Sequence, residues 1–361
     1  MAGVYISYPF CSQKCSFCNF ASGVSSSRVR LRYEERLLRD VRSHNWTFSP
    51  ETLYFGGGTP SLMPVELLDD LTNAIPGDPL REVTLECAPG TVDAVRAAYW
   101  ARCGVNRVSL GVQSFVRAEL ARTGRRHTAE TVQHDVEILR AAGIRNLNLD
   151  LIAGLPGQTR ESWAESLAWL KRLQPPHVSV YIFEIDEDSR LGKEILTKGS
   201  RYGASDLPND DLTAEFYEIA VNYLARLGLT RYEISNFARP GLESAHNLKY
   251  WRLEPYIGFG LDAHSFDGRA RWSMPDTLLA FMEDHDGSPE RVPSDPLEEH
   301  FFVGLRLAAG IEPEPSEWAR FAEPIRKWLL TGMLIEDGPK LRLSDRGLLL
   351  SNEILQEFIN V

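Results

Sequence analysis

The chain has 361 residues, of which 43% are hydrophobic and 25% charged, and it carries a formal net charge of −11. That length accommodates one large domain and a smaller one, and the acidic balance argues against nonspecific nucleic-acid binding. No run of about 18 apolar residues marks a membrane span, the start lacks a secretory layout, and five cysteines suit a reducing compartment better than a disulfide framework, so a cytoplasmic location is expected.

Gly3 to Tyr8 is β-rich and reads as strand one. Cys11, Cys15 and Cys18 follow at once, in the spacing C-x3-C-x2-C. After the Ser-rich loop Ser22 to Ser27, Tyr33, Leu37, Leu38 and Val41 recur at helical spacing. Thr52 to Phe55 is a short apolar strand that runs into Gly56-Gly57-Gly58-Thr59-Pro60. A helix with Leu67, Leu68 and Leu71 leads to strand three, Glu82 to Glu86. Thr91 reads as the cap of a helix carrying Val92, Val95 and Tyr99 and ending at Gly104. Arg107 to Gly111 is strand four. A helix from Thr128, with Val132, Val136 and Leu139, stops at Gly143. Asn146 to Ile152 is strand five, and Trp163, Leu167 and Leu170 mark the next helix. His177 to Phe183 is strand six. Six apolar strands alternating with amphipathic helices predict a parallel sheet covered on both faces. Cys11, Gly57, Glu86, Gln113 and Asp150 then fall at or beyond the ends of successive strands. In a barrel these ends share one rim, where active sites are built.

After Glu184 the pattern changes. An acidic loop (Asp186, Glu187, Asp188) and a polar segment, Lys198 to Asn209, precede a long helix with Leu212, Phe216, Ile219 and Tyr223. Arg231 to Ser235 reads as a strand. His246 to Phe266 is dense in aromatic residues and glycine. From Leu297 the order is helix, helix, hairpin, helix, with Asp337-Gly338 as the hairpin turn. This last part resembles a small winged-helix module. Its plainer reading is a packing lid on the barrel. Three domains are expected: 1–184, 185–290 and 291–361.

Three thiols within eight residues are soft ligands for zinc, copper(I) or an iron–sulfur cluster. A closed zinc site takes four ligands, and residue 20, where a fourth cysteine would be near, is Phe20; a distant histidine would have to complete it. A four-iron cluster accepts three cysteines if one iron stays open for another molecule. The triad after a first strand resembles the signature of the radical S-adenosylmethionine (SAM) superfamily. With Tyr5, Pro9-Phe10 and Asn19-Phe20 around it, the stretch is similar to the oxygen-independent coproporphyrinogen III dehydrogenases and to the HemW-type heme chaperones. The resemblance implies a partial (β/α)6 barrel with a smaller C-terminal α+β domain. It also implies a [4Fe–4S] cluster on Cys11, Cys15 and Cys18, with SAM at the open iron beside Tyr5, Phe17, Gly57, Gly58, Thr59 and Glu86.

Gln113, Arg125 (in Gly124-Arg125-Arg126-His127) and Asp150 match positions that in the dehydrogenases touch a second SAM; here they suit that molecule, another anion or a porphyrin carboxylate. Arg125 also reads as a surface salt bridge, and the triple glycine as a tight turn. Cys87 and Cys103 read as small apolar core residues. Three features separate this chain from the dehydrogenases: Phe20 in place of a fourth cysteine, ten residues before Cys11, and His246-Asn247-Leu248-Lys249-Tyr250-Trp251. The last matches the H-N-x-x-Y-W motif of the chaperones. His246 and Tyr250 share a helical face, and histidine is a natural axial ligand for heme iron; the alternative is a core cluster with a satisfied histidine. His264 lies in another family stretch, Gly260 to His264, near the SAM or heme region. The expected function is heme binding and transfer to an acceptor hemoprotein, by a monomer or homodimer. The alternatives are enzymes: oxidative decarboxylation of coproporphyrinogen III, or radical-SAM chemistry on another tetrapyrrole.

Overall fold

In the computed structural model, which describes residues 2–77, 79–283 and 289–359, strands and helices alternate from the start. The order is β1 (Ala2–Tyr8), α1 (Ser27–Ser43), β2 (Pro50–Gly57), α2 (Val65–Ala74), β3 (Glu82–Cys87), α3 (Ala94–Arg102), β4 (Arg107–Gln113), α4 (Arg117–Arg122), α5 (Ala129–Ala141), β5 (Asn146–Ala153), α6 (Arg160–Leu173) and β6 (His177–Ile182). The six strands lie side by side in sequence order, each parallel to the next.

There follow α7 (Arg190–Leu196), α8 (Asp210–Arg226), β7 (Thr230–Arg231), β8 (Asn236–Ala238), α9 (Ala245–Trp251), β9 (Tyr256–Phe259), β10 (His264–Phe266), β11 (Ala270–Ser273), α10 (Leu278–Met282) and β12 (Val292–Pro293). β9 adds a seventh parallel strand on the free side of β1, and the antiparallel β10, β11 and β12 continue from it. β8 and β7 extend the other edge beyond β6. Among the described residues the two outermost strands, β12 and β7, do not pair, so the barrel is open.

The period-two alternation of each strand separates two chemistries. Val4, Ile6, Leu53, Phe55, Leu85, Val108, Leu149 and Val180 pack outward under the helices in one continuous core. Each such side chain contributes roughly 1.5–3 kcal/mol when fully buried, and this face drives assembly. The alternate residues, among them Thr52, Ser109, Asn148 and Ser179, are buried and polar. They are joined inside the barrel by hydrogen bonds: Asn148 donates to Ser109, Asp150 and Ser179, and Ser179 donates to Asn236. Strand apolarity predicts the layer of helices; the polar lining inside is what the structure adds.

Two expected boundaries shift. The cap of α3 is Asp93, which accepts from Arg96 N at 2.8 Å, while the Thr91 hydroxyl donates to Ala88 O within the preceding turn. Val95 is 79% exposed, and Ala97 and Trp100 form the buried face instead. The strand expected over Arg231 to Ser235 is split, with β7 ending at Arg231 and β8 beginning at Asn236.

The C-terminal part comprises α11 (Pro296–Gly304), α12 (Pro315–Arg320), α13 (Ala322–Leu330), the antiparallel hairpin β13 (Leu334–Asp337) and β14 (Lys340–Leu343), α14 (Asp345–Leu349) and α15 (Ser351–Gln356). It has a core of its own around the mutually packed rings of Phe301, Phe321 and Phe358. Among the described residues, no helix is long and apolar enough to cross a membrane.

Candidate functional site

The cysteine loop leaves the end of β1 and is held by backbone from several sides. Cys11 N donates to Gly23 O and Gly23 N to Pro9 O, each at 2.9 Å; Ser16 N donates to Thr123 O at 3.1 Å, and Leu191 N to Ser16 O at 2.8 Å. The Gln13 amide also donates to Gly124 O. Cys11 is buried, Cys15 and Cys18 are half-buried, and all five cysteines of the chain are free thiols. Burial pushes the Cys11 thiol up, and the Thr59 and Ser22 hydroxyls beside it pull it back. Among the described residues, no three His, Cys, Asp or Glu side chains converge on one point as a single metal ion requires. Three free thiols on one loop are the donor set of a multi-iron cluster, where each would ligate its own iron.

The glycine run at the end of β2 lies against this loop. A Cβ at Gly58 would stand 2.7 Å from the Pro9 carbonyl carbon and 2.9 Å from Phe10 N, so the close approach of the two segments depends on glycine. Gly57 has φ +107°, a conformation side chains resist, and its N–H donates to Glu86 Oε2 at 3.2 Å. Thr59 N donates to Phe10 O at 3.0 Å. Tyr54 stacks on Tyr5, with ring centroids 5.9 Å apart, and donates its hydroxyl to Glu86 Oε1 at 2.8 Å.

Burial raises the Glu86 carboxyl to about 7; hydrogen bonds from Tyr54 and Gly57 oppose the shift and the nearby Asp150 adds to it. An unfolded glutamate has a value of about 4.5. The stability carried by the retained proton is therefore fully present below the unfolded value and is lost as pH rises through about 7. A Glu86→Gln chain is expected to lose less thermal stability than the parent between about pH 5 and pH 8. Melting curves across that range check this, and parallel losses would contradict it.

A cavity of about 300 Å³ opens beside the cysteine loop. It brings together Tyr5, Gly57, Tyr250 and His264 from the sequence-predicted set, and adds Phe20 and Asp262. Phe17 is not part of it; its ring packs edge-on against Phe183, 6.5 Å between centroids.

Gln113, Arg125 and Asp150 form a second polar group at the ends of β4 and β5. Gln113 has φ +68°, a left-handed conformation unusual for glutamine. Among the described residues, its buried Oε1 and the buried Nε of Arg125 have no hydrogen-bond partner. Arg125 donates to Gly111 O. Burial raises the Asp150 carboxyl, opposed by hydrogen bonds from Ser179, Ser109 and Asn148 and by the Arg125 charge. Unpaired buried polar atoms and a strained backbone together mark a place prepared for a polar ligand. The surface salt bridge considered for Arg125 does not form: its guanidinium is turned inward.

His246 is held within the fold. It lies where β1 and β2 begin, at the barrel end opposite the cysteine loop, and is only 1% exposed. Its Nδ1 is 2.8 Å from Thr52 Oγ1 and its Nε2 is 2.8 Å from the Tyr250 hydroxyl. Both ring nitrogens are thus occupied, and burial with the Lys249 charge lowers its pKa to about 3. In this structure His246 is a satisfied core histidine, the alternative that the sequence left open beside a heme ligand. Gly3 makes room for it, since a Cβ there would come within 3.1 Å of His246 Cε1. Sequence reasoning also missed Glu82, whose carboxylate caps the helix carrying His246. An acidic residue opening a strand gives no signal of a partner far along the chain.

Comparison with known proteins places this architecture. Residues 5–170 match the model of the radical SAM superfamily. The chain is 32% identical to the heme chaperone HemW of Lactococcus lactis, over 98% of this chain and 96% of that protein. It is 36% identical to the heme chaperone HemW of Escherichia coli, over 72% of this chain and 69% of that one. It is 30% identical to the mitochondrial radical S-adenosyl methionine domain-containing protein 1 of Bos taurus, over 99% of this chain and 87% of the relative. Among solved structures, the coproporphyrinogen III oxidase of Escherichia coli superposes with a TM-score of 0.85, covering 99% of this chain and 90% of that one; at 20% identity this likeness speaks for the fold alone.

Proposed function

The chain belongs to the radical SAM superfamily and, within it, to the family of the HemW heme chaperones, and on that premise we propose that it binds heme and passes it to an acceptor hemoprotein in the cytoplasm. The observation that carries this reading is similarity along essentially the whole length of relatives so named, not within the barrel alone. Five unpaired cysteines agree with a reducing compartment.

Cys11, Cys15 and Cys18 are the residues that would hold a [4Fe–4S] cluster. Such a cluster, when bound, offers one iron without a protein ligand to a small chelating molecule. Tyr5, Gly57, Gly58, Thr59 and Glu86 line or support the adjoining space and would hold the methionine end of SAM there. Glu86, near pH 7 half ionised, accepts hydrogen bonds at its edge of that space. Gln113, Arg125 and Asp150 present an unpaired acceptor, a cation and a carboxylate to whatever polar group lies deeper in the barrel, whether the rest of that SAM, a second one or another anion.

The test is to load the full chain with hemin and mix it with an apo-hemoprotein. Transfer from the loaded chain, followed by the acceptor's absorbance, is expected to be saturable in the acceptor and distinct from uptake of free hemin. No hemin binding, or anaerobic conversion of coproporphyrinogen III to protoporphyrinogen IX by the cluster-loaded chain, would overturn the reading.

A further inference from the structure

Both ring nitrogens of His246 are engaged by Thr52 and Tyr250, whereas a second histidine of the sequence-predicted set stands open at a cavity. His264 opens β10 directly after the turn that follows β9, and β9 runs beside β1, so the turn stands at the same rim as the cysteine loop. Among the described residues, it is the histidine that lines the cavity beside that loop. Its side chain is 66% exposed, and its ring makes no hydrogen bond to any described residue. The nearest carboxylate oxygen, Asp262 Oδ1, is 3.8 Å from Nε2. An iron-bound imidazole characteristically gives its second N–H to a carboxylate, and a small side-chain rotation brings Asp262 into that role. Asp262 sits at φ +55°, a left-handed conformation that strains a residue with a side chain.

Across the same cavity stands Phe20, an aromatic ring left 65% exposed. Among the described residues nothing covers it. Lys14 donates its ammonium to the Phe20 backbone carbonyl at 2.9 Å, which sets a cation next to this residue's main chain. The cavity, at about 300 Å³, is at the small end of pockets that enclose a ligand. A porphyrin cannot enter it together with a second molecule at Tyr5 and Gly57, but it can lie across its mouth.

Resting on the heme reading above, we propose that His264 is the axial ligand of a heme lying across the mouth of this cavity. Asp262 orients the imidazole, the porphyrin edge meets Phe20, and a propionate is within reach of Lys14.

The test is a titration with hemin of the full chain and of its His264→Ala and His246→Gln variants, followed by absorbance. The parent is expected to bind saturably with a histidine-ligated spectrum. His264→Ala is expected to lose that spectrum and to bind roughly tenfold or more weakly, with added imidazole restoring it. His246→Gln is expected to keep it. Parent-like binding and spectrum in His264→Ala would overturn the ligand assignment and leave heme binding standing. So would loss of the spectrum in His246→Gln alone. Failure of the parent to take up hemin would remove the heme reading, and this inference with it.

Discussion

A Cys18→Ala chain, reconstituted with iron and sulfide under anaerobic conditions, is expected to come out without iron and without the visible absorbance of a cluster. The same holds for Cys11→Ala and Cys15→Ala. Three cysteines are the fewest that leave a cubane with one open corner, so loss of any one removes a needed ligand. The loop itself should survive, because its anchors are backbone hydrogen bonds to Gly23, Thr123 and Leu191 rather than the thiols. Far-ultraviolet circular dichroism of the variant should therefore match the parent. The control lies in the two remaining cysteines. Cys87 and Cys103 are buried in the main core, where burial pushes both thiols up, that of Cys103 to about 12 with Asp69 beside it. Cys87→Ala is expected to keep a full complement of iron and to lose about 1 kcal/mol of stability. Iron retained by Cys18→Ala, or lost by Cys87→Ala, would move the cluster away from the proposed loop.

The parts of this molecule that were legible in the sequence are those governed by local pattern. Alternating stretches such as Asn146 to Ile152 announce strands, and the cysteine spacing announces a soft-ligand site. What was not legible depends on partners distant in the chain. β9 reads as an aromatic, glycine-rich stretch because Gly258 and Gly260 interrupt its pattern; a Cβ at Gly258 would stand 2.9 Å from Ala263 Cβ, a crowding that only the fold shows. α4 is six residues, half of them charged, with no side-chain cap, and offers no periodicity to read. The surroundings of His246 were hidden for the same reason. Its position one helical turn from Tyr250 is visible, but Thr52, the partner of its other nitrogen, lies 194 residues away. A histidine with one visible neighbour looks free to bind iron; one with two does not. The polar interior of the barrel is hidden likewise, because Ser109, Asn148 and Ser179 lie on separate strands and meet only when the strands align.

Glu82→Ala is expected to be the most destabilising substitution outside the apolar core. Glu82 begins β3 and is 5% exposed. Its carboxylate accepts from Ser244 Oγ at 3.2 Å, Ala245 N at 3.0 Å and His246 N at 2.9 Å. The first turn of a helix leaves backbone donors without partners. In α9 the Ser244 hydroxyl accepts from Asn247 N at 3.3 Å, and Glu82 takes the two donors before it. A negative charge there also faces the positive end of the helix. Removing it strands buried donors, each costing about 1–3 kcal/mol. With partial entry of water, the total loss is about 3–5 kcal/mol, close to that of breaking a buried ion pair. For a chain of this size the melting temperature should fall by roughly 4–7 °C. Glu82→Gln keeps one acceptor and should lose about 1–2 kcal/mol. Arg81→Ala, next in sequence, removes a guanidinium that pairs with Glu51 at 3.0 Å but is 68% exposed, and should cost well under about 1 kcal/mol. Thermal melts of the three variants decide the matter. If Glu82→Ala melts with Arg81→Ala, α9 is not held by this carboxylate. If it melts far below, then the helix bearing His246 and Tyr250 is fixed to the barrel at its N-terminus. Tyr250 is then presented to the cavity by a rigid support, and His246 serves as part of that support.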